Sequence, residues 1–172
     1  MNDPLRYPIG TMQQALAQPI DYETARQEIA AFPSLLRERV EHLKPKELQR
    51  QYRENSWTIR QLVHHCADSH SHALLRIKRA LTQPEAQIYG YNEGPTAELP
   101  DYNLPIESTL LQLDGLHARF AALLAGITAA QRQATYYHTG EQRTFTVEQA
   151  AQVYAWHGKH HLAHINLALA AT

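Results

Sequence analysis

Apolar residues recur at three- and four-residue steps through four long stretches of the chain, the spacing that collects one face of an α-helix. The clearest stretch begins at Ile59 and ends near Thr82. Ile59, Leu62, Val63, Cys66, Ala73, Leu74, Ile77 and Leu81 form its stripe, behind Thr58 as N-cap. An earlier helix starts behind Asp21, carries Thr24 and Glu28, and extends to about Leu43. Pro33 removes an internal hydrogen bond, so a kink or break is expected at Phe32-Pro33, with Ser34 recapping the second half. A third helix is expected over residues 106–127, with Leu110, Leu111, Leu113, Leu116, Phe120 and Leu124 facing the core. The last begins near Thr146, has Glu148 and Gln149 in its first turn, and runs to about Ala170.

The segments between are of three kinds. Residues 1–20 carry Pro4, Pro8 and Pro19 and read as an irregular N-terminal arm. Residues 83–105 hold four prolines and two glycines, which predicts a long loop with little structure of its own, a common lid or binding element. Residues 135–145 alternate aromatic and polar side chains around Thr139-Gly140, which suggests a small hairpin. Four helices of similar length predict an all-α four-helix bundle, one domain over residues 1–172. The long loop between the second and third helices permits a crossover connection.

Composition narrows the function. Sixteen Lys and Arg against seventeen Asp and Glu give a formal net charge of −1, without the basic excess of a nucleic-acid binder. No apolar run reaches membrane-spanning length, and the opening Met1-Asn2-Asp3-Pro4-Leu5-Arg6 lacks the apolar core of a secretory signal. With Cys66 as the single cysteine, no internal disulfide forms, and a cytoplasmic location is the expectation. Cys66 sits in the apolar stripe and reads as a buried, inert thiol.

Histidine is the unusual residue. There are eleven, and eight fall in two clusters: His64, His65, His70 and His72 on the second helix, and His157, His160, His161 and His164 on the last. Residues four apart lie about 40° apart around a helix, one turn along it. His157 with His161, or His160 with His164, can therefore present two imidazoles to one metal ion. Relative to the stripe of Val147, Ala151, Tyr154, Ile165 and Leu169, His161 lies roughly 40° off and His157 roughly 80°. His164 and His160 lie farther round, at about 100° and 140°. His157 and His161 are the inward pair, and a third ligand is expected from the first cluster. There, periodicity supports His65 and His70 equally. His42, His117 and His138 stand alone and read as structural or surface residues, and Lys159 and Arg76 as solvated ends.

At these residues the sequence resembles the DinB-like superfamily, and within it the YfiT-type metal-dependent hydrolases and bacillithiol transferases. The resemblance rests on Leu5-Arg6-Tyr7-Pro8-Ile9-Gly10, on the segment from Trp57 to His70 and on that from Tyr154 to Ile165. It implies a four-helix bundle, a homodimer and one divalent ion per chain, zinc or nickel, held by His65, His157 and His161. The resemblance thus selects His65 over His70. The long loop departs from its pattern: Tyr91-Asn92-Glu93 and Thr96-Ala97-Glu98-Leu99 stand where relatives read Tyr-Asp-Glu and Trp-Ala-Glu-Leu.

Three neutral imidazoles leave an ion its charge and an open position, the catalytic rather than the structural type of site. Such a site activates a thiol or a water. The expected function is activation of a low-molecular-weight thiol for S-transfer to an electrophilic substrate. Hydrolysis with water is the first alternative, and a non-catalytic metal-binding dimer the second. Asp68, three residues after His65, is the expected outer acceptor for a ligand.

Overall fold

A computed structural model describes residues 3–171. Its helices and strands are, in order, α1 (Met12–Leu16), α2 (Tyr22–Val40), α3 (Ile59–Thr82), β1 (Ala86–Ile88), α4 (Glu93–Thr96), α5 (Glu107–Gly126), α6 (Ala129–Arg132), β2 (Thr135–His138), β3 (Arg143–Thr146) and α7 (Val147–Ala170). The caps read from the sequence are in place. The Asp21 side chain accepts from the Thr24 amide, and Thr58 and Thr146 close capping boxes with Gln61 and Gln149.

The long helices α2, α3, α5 and α7 form the bundle. Both α2 and α3 pack against α5 and α7, so the two helices that follow one another in the chain sit on a diagonal. Residues 41–58, which join α2 to α3, span that diagonal, whereas the long loop expected to carry a crossover joins the neighbours α3 and α5. Two apolar clusters fill the interior. One gathers Ile29, Ala73, Ile77, Phe120, Leu124, Ala151 and Tyr154; the other gathers Phe32, Leu36, Leu62, Cys66, Leu113 and Ile165. On α3, α5 and α7 the change from one cluster to the other falls beside polar rings: buried His70, His117 and His161, and half-buried His157.

Several expectations are corrected. Pro33 does not break α2, which is continuous from Tyr22 to Val40, and Ser34 caps nothing. Residues 83–105 are not structureless: β1, α4 and a 3₁₀ turn (Pro100–Asn103) lie there. Strand β1 joins the expected hairpin as a third strand, parallel to β2 with Ala86 opposite Tyr136, while β2 and β3 pair antiparallel. The N-terminal arm contains α1, which packs on α7; its Met1 and Asn2 lie outside the described residues. Leu111, expected in the core, is 69% exposed. Among the described residues no helix is long and apolar enough to cross a membrane.

Candidate metal centre

Midway along the bundle, α3 and α7 bring three imidazoles to one point. His65 Nε2 lies 3.2 Å from His157 Nε2, which lies 3.2 Å from His161 Nε2. Three ligand nitrogens, one per ring, all fall within 4.8 Å of one another. The spacing between residues 157 and 161 is the helical turn expected from sequence. His65 faces them because it flanks the α3 stripe on the side of α7. His70, the equal candidate by periodicity, stands behind His157, with its Nε2 3.0 Å from His157 Nδ1.

The set suits a cation. Bonds of about 2.0–2.1 Å from one tetrahedral ion set donor nitrogens about 3.3–3.4 Å apart, close to the spacing found. Burial pushes the His65 imidazole down to about 4 and holds His157 and His161 well below their ordinary value, reinforced for those two by neighbouring imidazoles. All three are therefore neutral at pH 7, the form that binds a metal.

The outer nitrogens are held as well. His65 Nδ1 lies 3.2 Å from the Tyr91 hydroxyl, and Trp57 packs on the His65 ring at 4.6 Å. For His161 the proton positions follow from chemistry. The Arg6 carbonyl accepts only, so His164 Nε2, 3.2 Å away, carries the proton. His164 Nδ1 is then an acceptor for His161 Nδ1–H at 3.3 Å, which leaves His161 Nε2 a bare lone pair.

Other polar residues find different roles. Asp68 is not the outer acceptor; it accepts from the Tyr102 hydroxyl at 2.7 Å. His64 is structural, its Nε2 donating to the Leu104 carbonyl at 3.2 Å and its Nδ1 meeting the Thr109 hydroxyl at 2.7 Å. His160 and His164, angularly farthest from the core, are buried all the same. His160 stacks on Trp156 and His164 on Tyr52, in a second packing layer over the outer side of α7. Cys66 is fully buried in the apolar core, and burial pushes its thiol pKa up. Lys159 pairs with Glu28 at 2.6 Å.

The site opens into a cleft of about 450 Å³ lined by His157, Ser69, Tyr91, Glu93, Arg76 and Tyr154 among others. Arg76 is not a solvated helix end: its Nη1 donates to the Tyr154 hydroxyl at 2.6 Å. Ser69 Oγ lies 3.3 Å from His157 Nε2. Desolvation raises the Glu93 carboxyl above its usual pKa. Sequence reading missed Glu93, Arg76, Ser69 and Tyr154 as site residues. Ser69 is four residues after His65, and that spacing was the available signal.

The DinB superfamily model matches residues 28–165, which carry all three histidines, the whole of α3 and most of α7. The chain belongs to the DinB superfamily. Within that superfamily it is 43% identical to a protein of Halalkalibacterium halodurans named a "putative metal-dependent hydrolase", over 97% of this chain and 98% of the relative. A Bacillus pumilus protein of the same name is 40% identical, over 94% and 93%. Among solved structures, YfiT from Bacillus subtilis, described as "a probable metal-dependent hydrolase with an unusual four-helix bundle topology", matches with a TM-score of 0.88. It is 34% identical, and the match covers 95% of each chain.

Proposed function

We propose that this DinB-superfamily protein is a metal-dependent enzyme in which His65, His157 and His161 hold one divalent ion, zinc or nickel, at the head of the cleft. The observation that supports it most is the meeting of three neutral imidazole nitrogens beside an open cleft. When bound, the ion supplies a positive charge that lowers the pKa of a thiol or water held beside it.

The chain's own groups divide the remaining work. Ser69 Oγ, beside His157 Nε2, orients a proton on the incoming nucleophile. Glu93, whose partly desolvated carboxyl holds its proton more tightly than usual, accepts that proton. The Tyr154 hydroxyl accepts from Arg76, which leaves its own proton to donate to charge that develops on the substrate.

Our reading of the nucleophile is a low-molecular-weight thiol, transferred to an electrophilic substrate. In its support, the cleft has room for two reactants, and Cys66 is too deeply buried to serve as the sulfur. The second reading is hydrolysis, favoured by what the relatives are called. The test is elemental analysis of the purified protein, followed by turnover of a generic electrophile with and without small thiols. About one ion per chain and a thiol-dependent rate support the first reading. Thiol-independent ester or amide cleavage selects the second, and a protein that takes up no divalent ion refutes both.

A further inference from the structure

Pro33 has no amide proton, so the carbonyl four residues earlier, that of Ile29, lacks the donor an α-helix would give it. That carbonyl is buried, and an unmet buried acceptor is costly. It is met from across the bundle: His117 Nδ1 on α5 lies 2.7 Å from the Ile29 oxygen. A carbonyl only accepts, so Nδ1 of His117 carries the proton and its Nε2 is a lone pair. His70 Nδ1 lies 2.8 Å from that lone pair and therefore donates to it, leaving His70 Nε2 bare. His157 Nδ1, 3.0 Å from His70 Nε2, must then donate in turn. One orphaned carbonyl thereby dictates the proton position on three successive imidazoles.

We propose that Ile29, His117 and His70 form a tautomer lock that holds His157 as its Nδ1–H form, with the Nε2 lone pair aimed at His65 and His161. His70 and His117 are positioning residues, and the proposal rests on the metal-site reading for its purpose. The chain ends on a carbonyl, which takes up no proton, so it is an anchor and not a route for protons. His161 is fixed in the same sense from the Arg6 carbonyl. Two bare lone pairs thus meet at 3.2 Å, a contact that a shared cation makes favourable. Phe32 packs on both relay rings, at 4.9 Å from His70 and 5.4 Å from His117, and keeps the line in register.

Long-range proton–nitrogen NMR correlations on metal-free protein report which ring nitrogen carries the proton. His117, His70 and His157 are expected as Nδ1–H forms. An Nε2–H form of His157 in the wild type overturns the proposal, and this readout needs no variant. Zinc affinity, measured by competition with a chromophoric chelator, then compares His117→Phe with His117→Gln. Phe keeps the ring shape and breaks the chain; Gln retains one donor for Ile29 and one acceptor for His70. His117→Phe is expected to bind zinc about 10- to 100-fold more weakly. His117→Gln is expected to stay close to wild type. Equal affinity of His117→Phe and wild type overturns the lock, as does equal weakness of both variants, which would make the role one of packing. Three Nδ1–H histidines in a protein that binds no zinc or nickel would support the lock and refute the metal reading.

Discussion

Gly158 lies in the middle of α7, where alanine is ordinarily the better residue by about 1 kcal/mol. Here the expectation reverses. A Cβ at this position would stand 2.7 Å from Phe32 Cδ2 and 3.2 Å from both Cγ and Cε2. Phe32 is only 3% exposed and packs against His70 and His117, so its ring cannot shift away without giving up those contacts. Overpacking of this kind costs about 1–3 kcal/mol. Set against the propensity gain, Gly158→Ala should lose up to about 2 kcal/mol. For a chain of this size that lowers Tm by up to about 8 °C. The assay is denaturant and thermal unfolding of metal-free protein in two backgrounds. With Phe32→Leu the ring edge is gone, and the same Gly158→Ala change should stabilise by up to about 1 kcal/mol. Gly158→Ala stabilising the wild type, or acting identically in both backgrounds, would refute the reasoning.

Alanine at His65, His157 or His161 should each empty the site by elemental analysis, while His64→Ala should keep the ion and lose about 1–3 kcal/mol of stability as Leu104 and Thr109 lose a partner. The metal-free protein should weaken as pH falls. Burial holds His117 and His164 at about 4 in the folded state against 6.5 in the unfolded chain, so the unfolded chain takes up protons first and stability is lost between those values. Urea unfolding at pH 7.5 and pH 5 measures this, and equal stabilities would contradict it. Cys66→Ala should retain most activity, because the thiol is buried in the core; a dead variant with intact fold and metal would place the nucleophile in the protein. Glu93→Gln should slow turnover about 10²- to 10⁴-fold with metal content unchanged, measured as kcat on the best substrate found.

Helix positions were legible because periodicity and capping are local. Thr58, Thr146 and Asp21 mark starts that the folded chain keeps. The inward pair His157 and His161 followed from the same arithmetic. The choice between His65 and His70 did not, because His70 lies nearest the apolar direction and His65 on its flank, and the difference lies in which side α7 approaches. Pro33 misled for a related reason: its cost inside a helix was local, but its compensation by His117 comes from 88 residues away. His117 itself was readable in part. It falls in step with Leu113, Phe120 and Leu124, and a polar ring within an apolar stripe is a reason to look for a partner. Arg76 and Glu93 were out of reach, since the cleft they line exists only once the loop and the hairpin pair through β1 and β2.

The hold of the Arg6 carbonyl on His164 spans 158 positions of sequence. During synthesis the arm therefore leaves the ribosome long before the helix it must touch. A nascent chain that has emerged only as far as α5 carries His65 alone of the three proposed ligands, and a single imidazole does not retain an ion. On the proposed metal reading, capture of the ion waits until α7 has emerged and closes over both the arm and the bundle. An ion bound at full strength would then certify that the arm and α7 have met in their native arrangement.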